Sequence, residues 1–236
     1  MDPARTRLPA PLGFAHRGAR AELPDNTLPA FELALKLGAT GLESDVWLTA
    51  DRVAVLDHDG VIRRRGRGRR ISELRASELS SRIPTLAALY QRCGSDYHLS
   101  LDVKDPAAFE QTLDDAAAAG ASGRLWLCDS SGSRLGAWRS AQRAVHLVQS
   151  TRRRHVSEGI AERARRLAGA GIDALNLPGG EWTRADVESV HEAGLLAFGW
   201  DAQDASTLQK LLRDGLDAVY SDHVAMMMSA IAELLG

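Results

Sequence analysis

The sequence predicts an α/β fold in which eight parallel strands close into a barrel, and three observations carry that expectation. Short β-type runs alternate with alanine- and leucine-rich helical segments, one connection is too short to cross over, and several helices end in glycine before the next run. The runs cover residues 12–16, 41–48, 53–57, 97–104, 124–128, 144–148, 174–177, 195–200 and 218–221. Helical stretches at 27–37, 107–119, 159–170, 183–192 and 205–213 lie between most of them. Such alternation argues for parallel pairing.

The nine runs exceed an eight-stranded barrel by one. Only Thr49, Ala50, Asp51 and Arg52 separate the second run from the third. A parallel crossover needs about a dozen residues, whereas a hairpin needs only a few. The run at 53–57 is therefore expected to return antiparallel to the run at 41–48, outside the barrel proper. What remains is a TIM-type (β/α)8 barrel with an extra antiparallel hairpin strand after the second barrel strand. A doubly wound open sheet shares the same alternation and is the structural alternative. Glycine at Gly38, Gly120, Gly169, Gly194 and Gly215 closes a helix before a strand, where the left-handed C′ position favours it.

The 236 residues, 44% of them apolar, suffice for one core, so residues 1–236 are expected to form a single barrel domain. A formal net charge of -2 gives no global bias toward nucleic acid. Cys93 and Cys128 are too few for a disulfide framework and read as buried thiols in a reducing compartment. No apolar run approaches the roughly 18 residues of a membrane span. Residues 1–13 are proline-rich and lack the apolar region of a secretory signal, so the expected setting is the cytoplasm.

Catalytic groups of a barrel sit at the C-terminal ends of its strands, and the early strands are rich in them. The first ends in His16-Arg17-Gly18, the second carries Glu43-Ser44-Asp45, the hairpin strand ends in Asp57-His58-Asp59, and the next barrel strand carries Asp102-Val103-Lys104. Strand side chains alternate faces, so Glu43 and Asp45 share one face, as do Asp102 and Lys104. Two inward carboxylates raise each other's pKa or require a cation. A hard divalent ion meets that need with oxygen ligands, and Asp102 offers a third. The competing reading is a salt-bridged structural pair. Without a Cys/His cluster, Mg²⁺, Ca²⁺ or Mn²⁺ is favoured over structural zinc. His16 and His58 can divide general acid and base work near neutral pH. Arg17 and Lys104 offer cations for a phosphate, or surface ion pairs.

The segments His16-Arg17-Gly18, Pro24-Asp25-Asn26-Thr27 with Ala30-Phe31, Glu43-Ser44-Asp45 and His58-Asp59 resemble, in order and spacing, the opening pattern of the glycerophosphodiester phosphodiesterases. The resemblance continues through Ile83-Pro84-Thr85-Leu86, Leu101-Asp102-Val103-Lys104, Gly199-Trp200 and Ser221-Asp222. It implies a TIM-type barrel that hydrolyses glycerophosphodiesters to sn-glycerol 3-phosphate and an alcohol. It implies a divalent metal at Glu43, Asp45 and Asp102, acid/base histidines at His16 and His58, and phosphate contacts at Arg17 and Lys104. The chain departs from the pattern at Asp25 and Asp102, where glutamate is usual. It also departs at Trp200-Asp201-Ala202-Gln203, which stands for W-T-V-N, and in a short segment between His58 and Ile83.

Trp200, at a strand end, is a candidate pocket wall or a core residue. Residues 63–70, six arginines and two glycines, read as a solvated loop, with an anionic head group or lipid surface as the functional alternative. Met226-Met227-Met228 reads as helix packing. No G-x-S-x-G supports a serine nucleophile and no G-x-G-x-x-G a dinucleotide site. The partner expected is thus a small glycerophosphodiester, with no nucleic acid and no stable membrane insertion. A lysophospholipase D or sphingomyelinase-D-like activity is the alternative enzyme, needing an apolar groove for which few aromatics are available. A phosphodiester-binding protein without catalysis is the alternative class.

Overall fold

The computed structural model describes residues 8–64, 67–141 and 144–236. Residues 1–7 of the proline-rich start, and Arg65 and Gly66 of the arginine run, lie outside the described residues. The strands are β1 (Leu12–His16), β2 (Gly41–Leu48), β3 (Ala54–Leu56), β4 (Val61–Arg64), β5 (Arg67–Arg70), β6 (His98–Val103), β7 (Leu125–Asp129), β8 (His146–Ser150), β9 (Ala174–Pro178), β10 (Leu196–Trp200) and β11 (Ala218–Ser221). The helices are α1 (Leu28–Lys36), α2 (Leu86–Cys93), α3 (Phe109–Ala118), α4 (Gly132–Ala141), α5 (Ile160–Gly169), α6 (Arg184–Glu192), α7 (Ala205–Arg213) and α8 (Val224–Leu235).

Eight strands pair in parallel in the order β1-β2-β6-β7-β8-β9-β10-β11, and β11 pairs back onto β1. Pairing of β1 on both sides closes the sheet, which excludes the open doubly wound alternative. β3 pairs antiparallel with β2, Trp47 opposite Val55, outside the barrel as so short a connection requires.

One expectation needs correcting. Residues 67–70 of the arginine run are exposed but are not a loop: β4 and β5 pair antiparallel, with Val61 opposite Arg70 and Ile62 opposite Arg69. Arginine carries little strand signal, and the pairing is anchored from outside the run. Gly60 O accepts from Ile71 N at 2.9 Å, and Arg69 pairs with Glu78 at 3.0 Å. The helical runs read from the sequence do not include α2 or α4 and touch α8 only through Met226-Met227-Met228, of which Met227 is fully buried. Thr85 caps α2 by accepting from Ala88 N at 3.0 Å.

The barrel interior is a filled core in its lower layers. Phe14, Trp126, Phe198 and Tyr220 interlock there, with Phe14 stacked on Tyr220 at 4.7 Å between centroids. Burying each such side chain contributes roughly 1.5–3 kcal/mol. The buried Tyr220 hydroxyl meets Ser100 Oγ at 3.1 Å. The same inward stripe turns polar toward the C-terminal strand ends, where His16, Glu43, Asp45, Asp102 and Asp222 replace the aromatics. No described helix is long and apolar enough to cross a membrane.

Candidate active site

Local sequence builds the rim first. Arg17 and Asn26 both adopt left-handed backbone, φ 56° and 52°, and so does Asp201 after β10, φ 62°. Such residues cost of order 1 kcal/mol or more and cluster where function over-determines the backbone. Asn26 tolerates the conformation best. Its N–H donates to Arg17 O at 3.0 Å, and its buried Oδ1 accepts from Ser44 Oγ at 2.7 Å. Ala19 N donates to Ala30 O at 2.9 Å. Gly18, φ 83°, lies so close to Ala30 that a Cβ there would approach its carbonyl carbon to 2.7 Å. The His16-Arg17-Gly18 turn and the start of α1 are therefore locked together, with Thr27 capping the helix.

The barrel closure then brings the titratable groups into register. His16 stands opposite Glu43 across the β1–β2 pair, and Asp45 opposite Asp102 across the β2–β6 pair. Glu43 Oε2 accepts from Arg17 N at 3.0 Å and lies 3.8 Å from His16 Nε2. Burial pushes the Glu43 carboxyl up to about 7, and His16 only partly offsets this. Burial opposes charge on His16, but Glu43 and the hydrogen bond to Asp222 outweigh it and raise its pKa above the usual value. Desolvation also lifts the Asp102 carboxyl, against the pull of Lys104. The Lys104 pKa is raised, since Asp102 and Asp45 more than compensate its own burial.

Asp222, to which the sequence pattern assigns no role, completes the site. Its Oδ1 accepts from His16 Nδ1 at 2.6 Å, and its amide is held by Gln203 Oε1 at 3.0 Å. This bond leaves His16 Nε2 directed at the carboxylates. The signal was available, as an acidic residue one position past the last barrel strand, beside β1. His58 is likewise tied through Nδ1, to Asp59 Oδ1 at 2.8 Å. It lies on the outer lip, in a cleft of about 280 Å³ shared with Arg17, Asp57 and Arg82. Gly60 holds that loop down, since a Cβ would come within 2.4 Å of the Trp47 ring. A cavity of about 310 Å³ between α2 and α3 is unconnected with these groups.

The three predicted metal ligands share the inner wall, yet among the described residues no three His, Cys, Asp or Glu side chains form a ready ligand cage. The Lys104 ammonium sits between Asp45 and Asp102, 3.1 Å from Asp45 Oδ1 and in tighter contact with Asp102 Oδ2. Asp45 Oδ2 nonetheless stays buried without a hydrogen bond, with Arg17 Nε misaligned at 3.4 Å. An orphaned carboxylate oxygen beside Glu43, in an all-oxygen donor set, fits a hard divalent cation. Trp200 stands across the mouth under the Arg152 guanidinium, 4.6 Å from its ring centroid.

An eight-stranded barrel with carboxylates, two oriented imidazoles and two carboxylate-paired cations at its C-terminal mouth has the organisation of a hydrolytic enzyme. Residues 16–226 match the glycerophosphoryl diester phosphodiesterase family, and the chain belongs to that family and is a phosphodiesterase. It is 30% identical to a Mycobacterium tuberculosis protein named "Probable glycerophosphodiester phosphodiesterase 2", covering 92% of this chain and 89% of that one. In fold it is similar to the glycerophosphodiester phosphodiesterase of Thermotoga maritima, with a TM-score of 0.82 and 23% identity over 93% of this chain and 97% of that one. It is equally similar to an Oleispira antarctica phosphodiesterase solved with its product sn-glycerol-3-phosphate, with a TM-score of 0.81 and 22% identity over 94% and 97% of the two chains.

Proposed function

We propose that the chain, as one barrel domain over residues 1–236, hydrolyses glycerophosphodiesters to sn-glycerol 3-phosphate and an alcohol. The observation that carries this reading is the His16–Asp222 bond, which aims Nε2 of the imidazole into a mouth lined by Glu43, Asp45, Asp102, Arg17 and Lys104. Arg17 and Lys104 bind the phosphate oxygens and oppose their charge. His16 and His58 move the protons: one takes the proton of the attacking glycerol 2-hydroxyl and the other gives a proton to the departing alkoxide, and water then opens the cyclic phosphate to sn-glycerol 3-phosphate with the two roles reversed. Asp222 and Asp59 each engage Nδ1 of their ring, which leaves Nε2 as the nitrogen that takes or gives the proton. Glu43 and Asp45, joined by Asp102 when Lys104 turns to the phosphate, would hold one divalent ion, Mg²⁺, Ca²⁺ or Mn²⁺. Such an ion supplies Lewis-acid neutralisation of charge on the phosphoryl oxygens.

The lip beside His58 is built from Arg17, Asp25, Asp57, Asp59 and Arg82. That charge argues against an acyl chain in this cleft, and so against a lysophospholipase D. The test is release of sn-glycerol 3-phosphate from a glycerophosphodiester with Mg²⁺ or Ca²⁺, with and without EDTA. Metal-dependent release is expected, and undiminished release in EDTA overturns the metal part of the reading. No release from diesters of any head group, with either ion, overturns the reaction itself.

A further inference from the structure

The far half of the barrel mouth carries a second set of groups. Strands β8, β9 and β10 stand four places around the barrel from β1, β2 and β6 respectively, and so face them across the mouth. Ser150 ends β8, Trp200 ends β10, and Asn176 on β9 is in register with Ser150 and with the core residue Phe198. Asn176 is 4% exposed. Its Nδ2 donates to Ser150 Oγ at 3.4 Å, while its Oδ1 has no partner. The Trp200 indole Nε1 is likewise buried and unpaired. Arg152, just past β8, covers the Trp200 ring, with Glu181 Oε1 3.9 Å from its Nη1.

These groups define a ligand chemistry. The amide oxygen only accepts and the indole N–H only donates, whereas an alcohol hydroxyl does both. A hydroxylated arm offers a partner to each, whereas an alkyl group offers none to either. The aromatic face on which a quaternary ammonium would rest already bears a guanidinium. A second cation brought there meets like charge.

We infer that Asn176, Trp200, Ser150 and Arg152 form the subsite for the alcohol arm of the phosphodiester, and that it selects hydroxylated, uncharged or anionic alcohols over quaternary ammonium alcohols. With the phosphate held on the β1–β6 side, the alcohol arm crosses the mouth to the β8–β10 side. This inference rests on the glycerophosphodiester reading and assigns the head group within it.

The experiment compares glycerophosphoinositol with glycerophosphocholine. Wild type should favour the inositol diester in kcat/KM by about tenfold or more, as expected of one or two polar contacts. Arg152→Ala should narrow the ratio by improving the choline diester. Trp200→Phe, which keeps the ring and deletes the N–H, should weaken only the inositol diester. The same preference should hold in the Kd values of His58→Ala, read by calorimetry, where turnover plays no part. Failure of wild type to turn over either diester, with the Kd preference intact, would overturn the hydrolytic reading and leave the subsite standing. Equal Kd values, no binding of either diester, or variants that shift both diesters alike would overturn the inference.

Discussion

The two halves of the barrel mouth are built from the same kind of strand end but carry opposite chemistry. On the β1, β2 and β6 side, ionisable groups stand in register, two of them carboxyls lifted by burial, with Arg17 and Asn26 in strained backbone. On the β8, β9 and β10 side, Ser150, Asn176 and Trp200 are neutral, and Arg152 is stacked over the indole. The difference separates two tasks. Charge that develops in a reaction is best met by charges already fixed and desolvated. Recognition of an uncharged arm needs only hydrogen-bonding groups held dry.

The largest expected break in this comparison is at the histidines. His16→Ala and His58→Ala should each lower kcat by about 10²–10⁴, the usual cost of a lost general acid or base. Asp222→Asn should lower kcat less and move the pH limb belonging to His16 to lower pH, because Asp222 helps to raise that imidazole. Steady-state pH profiles of the three variants check this. A Asp222→Asn profile coincident with wild type would remove the positioning role.

The next effect is at the cations. Arg17→Ala and Lys104→Ala should each cost about ten- to a hundredfold in kcat/KM, the worth of one charge-assisted contact. Lys104→Ala also strips Asp45 and Asp102 of their cation and should lower the unfolding temperature in EDTA, whereas near-wild-type kinetics in both variants would place the phosphate elsewhere.

The smallest effect is one of stability, confined to the carboxylate half. The Glu43 carboxyl sits at about 7 in the fold, above its ordinary 4.5. A group raised in this way contributes stability below about pH 4.5 and loses it progressively as pH rises to about 7. In EDTA, Glu43→Gln should therefore unfold at higher temperature than wild type at pH 8, by ~2–4 °C for each kcal/mol relieved. Excess Mg²⁺ or Ca²⁺ should stabilise wild type more than the variant. Calorimetry at pH 5 and pH 8 decides, and a Glu43→Gln protein less stable at pH 8 would show that burial of this charge is already compensated without an ion.

Much of this protein follows from sequence alone, because its patterns are local. Strand runs and the short link that forces β3 antiparallel both act within a few residues. The face shared by Glu43 and Asp45 follows from the two-residue period of a strand, and His16, Arg17 and His58 from their places at strand ends. Partnerships across the barrel were not legible in this way. His16 meets Asp222 across 206 positions of sequence, Arg152 covers Trp200, and Lys104 lies between Asp45 and Asp102 instead of leaving three carboxylates facing one another. The arginine run pairs as a hairpin although its composition carries no strand signal. Local periodicity determines which side chains point inward. Only closure of the barrel, which sets the register of strands remote in sequence, decides which of those side chains meet.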